Sequence, residues 1–113
     1  MQTVNILGTE YKIIRATKEE NKKLERALGF CDYTTKEIFI EDISRLEITE
    51  DTVGNLKESE KRVLRHEIIH AFLFESGLGY DTIYDWATNE EMIDFFARQM
   101  PKMFNVYNKI DII

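Results

Sequence analysis

The chain contains two histidines, His66 and His70, and Glu67 directly follows the first of them. Residues four apart on an α-helix lie on one face, with about 6 Å between them. Two imidazoles at that spacing can reach one tetrahedral zinc ion through bonds of about 2.0–2.1 Å. The pair therefore predicts a metal site on a helix.

Glu67 is placed for acid–base chemistry rather than for binding the metal. Consecutive helical residues are rotated by about 100°, so Glu67 points beside a metal held by its two neighbours. Zinc lowers the pKa of a coordinated water towards about 7 and polarises a carbonyl group. A nearby carboxylate can take the proton and pass it to a leaving amine. We therefore predict that Glu67 is the catalytic residue of a hydrolase.

A catalytic zinc site needs a third protein ligand and one open position. The sequence has no further histidine, so this ligand must be a carboxylate or, less favourably, the thiolate of Cys31. Glu90 opens a second predicted helix, and we predict that it binds the metal. Glu91 is the alternative ligand on the same turn.

Asp94 stands one helical turn after Glu90. Carboxylates beside zinc sites often accept a hydrogen bond from the second ring nitrogen of a ligating histidine, which fixes the tautomer. Asp94 is predicted to do so for His66 or His70. Alternatively, these acidic residues only favour the start of a helix through its dipole. That explanation suits Glu91, but it does not account well for Asp94, which lies between apolar residues.

Length and charge limit the class of protein. A chain of 113 residues suits a single domain, predicted to span residues 1–113. Its formal net charge of −6 argues against a nucleic-acid partner and against docking on anionic membranes. The expected partner is instead a protein or peptide substrate.

Cys31 is the one cysteine of the chain. Small secreted domains usually carry a denser and even set, so a reduced, partly buried thiol is predicted. The sequence shows neither a signal-peptide pattern nor an apolar run of the roughly 18 residues that a membrane span needs. A cytoplasmic location is therefore expected.

The first forty residues predict strands and one helix. Apolar runs at residues 4–7 and 11–14 flank a Gly-Thr pair and predict a β-hairpin. Residues 17–20 form a capping box that predicts a polar helix to about residue 28, with Gly29 as its left-handed cap. Residues 30–40 predict a second pair of strands.

The remainder predicts a loop and two helices. Residues 41–58 are acidic and irregular, and residues 59–76 predict a helix that is apolar on nearly every side and therefore buried. A second helix is predicted from about Asn89 to Met100, ended or kinked by Pro101. Its apolar stripe predicts core packing by Met92, Phe95, Phe96, Met100 and Met103.

Together these elements predict an α+β fold. It comprises a small antiparallel or mixed sheet with an N-terminal helix, a buried zinc helix and a following glutamate helix.

Two motifs of the chain resemble a known family. Residues 66–71 read His-Glu-Ile-Ile-His-Ala, and residues 90–97 read Glu-Glu-Met-Ile-Asp-Phe-Phe-Ala. They are similar to the zinc helix and glutamate helix of gluzincins, and more narrowly to ImmA/IrrE-type metallopeptidases, often found in phages and mobile elements. The Phe-Ala pair and Pro101 also match that family. The resemblance covers residues 60–103 well, and the preceding residues only in the order of elements.

The resemblance implies a minimal gluzincin-like zinc endopeptidase. Zinc would be held by His66, His70 and Glu90, with Glu67 as general base and acid. A strand at residues 38–40 would bind an extended peptide by β-augmentation. Two alternatives are a catalytically silent zinc-binding interaction module of the same fold and a metal with a purely structural role. The motifs do not assign an oxyanion donor, although Tyr80 and Tyr84 lie near the expected cleft.

Overall fold

The computed structural model describes residues 2–80 and 85–113, which contain one four-stranded sheet and two long helices. This confirms the predicted α+β class. Within the described residues, neither helix is apolar enough over a sufficient length to cross a membrane. The main elements are β1 (Gln2–Ile6), β2 (Thr9–Ala16), β3 (Gly29–Asp32), β4 (Glu37–Glu41), α1 (Leu56–Glu75) and α2 (Glu90–Lys109).

The sheet is mixed, with the strand order β1-β2-β4-β3. The predicted hairpin is present: β1 and β2 pair antiparallel through a turn in which Leu7 and Gly8 both have positive φ. That geometry matches the right-handed twist of the flanking strands. β4 pairs parallel with β2 and antiparallel with β3. Both sides of β4 are therefore occupied, and β3 is an edge strand.

The predicted N-terminal helix is wrong. The capping-box bonds do form, since Glu20 N donates to Thr17 Oγ1 and Thr17 N donates to a Glu20 carboxylate oxygen. The chain then makes only one 3-10 turn, Lys22–Glu25, in which Leu24 alone is buried. A helix of the predicted length, from residue 17 to about residue 28, needs an apolar face that packs on the rest of the fold, and this polar segment has none. Gly29 does not cap a helix but begins β3.

α1 packs on one face of the sheet through Val63, Glu67 and Ala71. It begins three residues earlier than predicted because the Asn55 side chain accepts a hydrogen bond from Glu58 N. The prediction of burial on nearly every side is wrong, since Phe72 is 43% exposed. The sheet and α2 cover only part of the helix. The core between α1 and the sheet is formed by Ile6, Tyr11, Ile13, Ile38, Ile40, Val63 and Ala71.

Pro101 was predicted to end or kink the helix, and the structure shows that it does not end it, since α2 continues through Pro101 to Lys109. Proline has no N–H to donate to the carbonyl four residues earlier, which belongs to Ala97. In this fold Arg65 of α1 supplies the missing donor, because its Nε lies 2.6 Å from the Ala97 carbonyl oxygen. A side chain of the neighbouring helix therefore satisfies the carbonyl that Pro101 leaves unbonded.

The predicted core stripe on α2 is only partly correct. Met92, Phe96 and Met103 are half-buried, but Phe95 and Met100 are about half exposed. The residues of α2 that are fully buried are Ile93 and Ala97. The packed face of the helix therefore lies at its first two turns.

Candidate metal centre

The three predicted ligand side chains meet in space. Nε2 of His66 lies 2.8 Å from Oε2 of Glu90, and Nε2 of His70 lies 2.9 Å from Oε1 of the same carboxylate. The two imidazole rings are 5.0 Å apart between centroids, as expected for neighbours one helical turn apart. One carboxylate therefore bridges both histidines.

The three side chains come together where one side of α1 faces the first turn of α2. The histidines lie on the side of α1 that faces α2, and Glu90 is the first residue of α2. The Asn89 side chain caps that helix by accepting a hydrogen bond from Met92 N at 2.8 Å. The cap fixes where the first turn begins, and so it fixes the place of Glu90 on α2.

The group could hold a metal ion. One ligand atom from each of His66, His70 and Glu90 lies within 4.8 Å of the others. The two N···O spacings of 2.8 and 2.9 Å are somewhat shorter than the edge of about 3.3 Å in a tetrahedron with bonds of about 2.0–2.1 Å. Within residues 2–80 and 85–113 no fourth side chain, whether histidine, cysteine, aspartate or glutamate, joins the group. The described residues could therefore supply three ligands to a metal ion.

Glu67 lies beside this group and not in it. Its side chain is only 7% exposed, and it lines the same groove as the two histidines. The pKa of Glu67 is raised to about 7, chiefly because the carboxyl group is buried; His66 opposes this shift and the nearby Glu90 carboxylate adds to it. A carboxyl group with such a pKa exchanges its proton near neutral pH, as general acid–base chemistry requires.

Gly29 allows β3 to lie close against Glu67. A Cβ atom at this position would be 2.7 Å from Val63 Cγ1 and 3.0 Å from Glu67 Cγ. Any larger residue would push the strand and α1 apart. The sequence signal for this role was the glycine itself, but its place after a polar segment suggested a helix cap instead.

The state of His70 suits metal binding. Burial lowers its pKa, although the Glu90 carboxylate opposes this shift. A lowered pKa favours the neutral imidazole, which is the form that ligates metals.

Asp94 approaches His66 but not as a strong hydrogen-bond partner. Its Oδ1 lies 3.5 Å from His66 Nδ1, beyond the usual range for an N–H···O bond. The same carboxylate contacts Arg62 at 3.3 Å and Arg98 at 2.8 Å. Those arginines, with Arg98 first, lower the pKa of Asp94. The role of Asp94 in orienting His66 stays a prediction, and Arg62 is a neighbour that the sequence pattern did not indicate.

Cys31 does not belong to the candidate metal centre. Its thiol is free and half-buried, as predicted, and burial raises its pKa to about 12. A thiol that holds its proton so firmly is a poor metal ligand, because metals bind the thiolate.

The groove around the site has a volume of about 610 Å³. Tyr33 and Phe74 line it, and their rings stack with centroids 4.0 Å apart. Tyr80 packs edge-on against both rings, which is consistent with a packing role. Tyr84, the other tyrosine considered near the cleft, lies outside the described residues.

The strand that borders the groove is β3, which corrects the prediction for residues 38–40. Those residues belong to β4, whose hydrogen-bonding groups face β2 and β3. Glu41 N donates to Leu28 O, so the alternation of an antiparallel ladder directs the main-chain groups of Gly29 and Cys31 outwards. The order of strands could not be read from the chain, because parallel pairing joins β2 to β4 across the intervening β3.

Comparison of the chain with models of protein families, with curated proteins and with solved structures found no match. Membership of the ImmA/IrrE-type family therefore stays a prediction from the two motifs.

Proposed function

We propose that this protein is a zinc-dependent hydrolase, a metallo-endopeptidase of the gluzincin type. The observation that carries the proposal is the meeting of His66, His70 and Glu90 beside the buried carboxyl group of Glu67. Three ligands with a separate acid–base residue suit catalysis, whereas a structural zinc site is usually closed by four protein ligands.

The donor set favours zinc. Two imidazole nitrogens and one carboxylate oxygen form a ligand combination found in catalytic zinc sites, whereas magnesium and calcium prefer oxygen ligands throughout. Zinc held there would supply a Lewis acid that polarises a carbonyl and makes a coordinated water more acidic.

Glu67 would move the proton. Its carboxylate accepts a proton from the attacking water and then donates it to the leaving amine nitrogen, so the residue ends each cycle as it began. Burial holds the carboxyl group in place and raises its pKa to about 7. A bound cation would favour the carboxylate form, which is the form that begins the cycle.

The open edge of β3 would hold the substrate. The outward main-chain groups of Gly29 and Cys31 can pair with an extended peptide, and the groove beside them leads to both histidines. A segment bound along a strand edge presents its interior peptide bonds to the site, which favours an endopeptidase over an enzyme that removes terminal residues.

Metal analysis and a peptide-cleavage assay test the proposal together. The wild-type chain, Glu67→Gln and Glu91→Gln would each be loaded with zinc, and a mixture of peptides of varied sequence would be followed by mass spectrometry. We expect one zinc per chain in all three proteins, cleavage by wild type and Glu91→Gln, and no cleavage by Glu67→Gln.

The outcomes separate the readings. Stoichiometric zinc without cleavage by the wild-type protein would favour the catalytically silent zinc-binding interaction module. A chain that takes up no zinc, or cleavage that Glu67→Gln leaves unchanged, would overturn the proposal.

A further inference from the structure

One face of α1 presents four side chains to the groove at a spacing of four residues. Arg62, His66, His70 and Phe74 all line the groove. Residues four apart on a helix lie above one another, so the four side chains follow one line. The candidate metal ligands occupy the middle of that line, a cation lies at one end, and an aromatic ring lies at the other. The two ends of the groove therefore differ in chemistry.

Arg62 is the cation at its end of the groove. Among the lining residues that the structure describes, it is the one lysine or arginine. Its side chain is 25% exposed, and one of its N–H groups lies 3.3 Å from Asp94 Oδ1, which is long for an N–H···O bond. Arg98 holds the other oxygen of Asp94 at 2.8 Å. Because a guanidinium group has five N–H donors, Arg62 can bind a second carboxylate beside Asp94.

The opposite end of the groove is apolar. Tyr33 stacks on Phe74 with ring centroids 4.0 Å apart, and Tyr80 packs edge-on against both rings. An acidic side chain placed against these rings would lose water without gaining a charged partner. The groove therefore favours a negative charge at the Arg62 end alone.

The direction of β3 orients a peptide in the groove. At the start of the strand, a Cβ atom on Gly29 would be 3.0 Å from Glu67 Cγ, and just past its end Tyr33 stacks on Phe74. The strand therefore runs in the same direction as α1. Antiparallel pairing is slightly more stable per residue than parallel pairing. A peptide bound antiparallel to β3 would run from the aromatic end towards Arg62.

We propose that Arg62 selects substrates that carry an acidic residue about three positions after the bond that is cut. The midpoint between His66 and His70 lies about six residues from Arg62, or about 9 Å along α1. An extended peptide covers that distance in about three residues. The inference rests on the proposed function, because zinc offsets the negative charges of Glu67 and Glu90 that would otherwise repel an acidic peptide.

Affinity selection from a defined pool of peptides tests this preference without requiring cleavage. The zinc-loaded Glu67→Gln protein would be immobilised and incubated with end-blocked peptides of mixed sequence, and the retained peptides would be identified by mass spectrometry. Blocked ends carry no terminal carboxylate, so any carboxylate that is bound belongs to Asp or Glu. We expect retained acidic peptides to bind about 10-fold more tightly than their Asn or Gln analogues, as a charge-assisted hydrogen bond provides.

Variants at Arg62 assign the preference to this side chain. In the same background, Arg62→Gln should abolish the difference between acidic peptides and their amide analogues, and Arg62→Glu should favour lysine peptides instead. A loss of packing alone would not reverse the preferred charge. Arg98→Gln is the matched control and should retain the acidic preference. It removes the other cation that contacts Asp94, but Arg98 is not among the described residues that line the groove.

Zinc analysis and circular dichroism would check that each variant is loaded and folded, and Arg62→Gln alone decides if Arg62→Glu does not fold. Cleavage of the same pool by the zinc-loaded wild-type protein locates the acidic residue, which should follow the cut bond. Equal affinity for acidic and amide peptides, an acidic preference that Arg62→Gln retains, or acidic residues before the cut bond would overturn the inference and leave the proposed hydrolase intact.

The reverse pattern is also distinguishable. An acidic preference that depends on Arg62, in a protein that cleaves no peptide, would overturn the proposed hydrolase and support recognition by Arg62. A chain that takes up no zinc would overturn both.

Discussion

The two halves of α2 share one amphipathic pattern but differ in their surroundings. Residues 90–97, the packed half, bury Ile93 and Ala97 against α1 and provide Glu90 to the candidate metal centre. Residues 98–109, the outer half, place Phe104 and Tyr107 on the same side of the helix as Ile93 and Ala97, but both remain exposed. Helical periodicity therefore indicates which side of a helix seeks a partner. It does not indicate whether the same chain provides one.

The largest expected effect is on metal binding by the packed half. Glu90→Gln should weaken zinc binding by on the order of 1,000-fold, because even an outer partner of a ligand costs about 10- to 100-fold. Titration against a competing chelator measures the affinity. Glu91→Gln, on the same helical turn, should retain it. Equal losses in the two variants would contradict the assignment of Glu90.

Shortening a side chain to alanine should change the free energy of unfolding differently in the two halves of α2. Ile93 is fully buried, so Ile93→Ala should lower the free energy of unfolding by about 2–5 kcal/mol. Val106 in the outer half is 57% exposed, so Val106→Ala should change the free energy of unfolding by less than about 0.5 kcal/mol. Urea denaturation at low protein concentration measures both. Comparable losses would mean that Val106 is packed in solution and not exposed as described.

Glu67 should make the metal-free protein less stable as pH rises. The fold raises the pKa of its carboxyl group from 4.5 to about 7, so it favours the protonated form. This contribution is complete below pH 4.5 and is lost as pH rises through about 7. At pH 8, the free energy of unfolding of Glu67→Gln should exceed that of the wild type by up to about 3 kcal/mol.

Urea denaturation in the presence of a chelator, repeated from about pH 4 to pH 8, would reveal this difference. Glu91→Gln serves as the comparison and should follow the wild-type curve. If the curves of wild type and Glu67→Gln ran parallel, Glu67 would not be buried as described.

The smallest expected effect is at the junction of the two halves. Arg65→Ala removes the donor to the Ala97 carbonyl and should cost about 1–2 kcal/mol. In a Pro101→Ala background the same change should cost less than about 0.5 kcal/mol, because the new backbone N–H can bond that carbonyl. A double-mutant cycle by urea denaturation measures the difference. Equal costs in the two backgrounds would show that Arg65 does not substitute for the missing N–H.

Local patterns predicted most of the elements. The hairpin and the two long helices depend on neighbouring residues, and each is present near its predicted position. The hairpin turn lies one residue earlier than predicted, at Leu7 and Gly8 rather than at Gly8 and Thr9. The helix predicted after Thr17 does not form. Its capping box is a local signal and is present, but the segment has no apolar face that could pack on the rest of the fold. Of the two predictions for Pro101, an end or a kink of α2, the end is wrong, and here the cause is long-range: Arg65 from another helix donates to the carbonyl that Pro101 leaves unbonded.

The candidate site also has a part that local sequence determined and a part that depends on how distant segments pack. The spacing of His66, Glu67 and His70 determined their arrangement, because one helix sets all three directions. Glu90 and Asp94 were placed near one another by a second helix, but their distances from the histidines depend on how α2 crosses α1. Only the tertiary structure shows Glu90 bridging both rings while Asp94 pairs chiefly with arginines.

The sequence by itself determined the chemistry available to this protein: two imidazoles and a carboxyl group at helical spacing, with further carboxylates on a second helix. The tertiary structure alone decided that β3 borders the groove, that Gly29 lets it approach Glu67, and that the second half of α2 stays largely exposed. The physical reason is the distance along the chain over which each effect acts. Spacing and capping act within a few residues, whereas strand order, close approach and burial depend on segments that are distant in the chain.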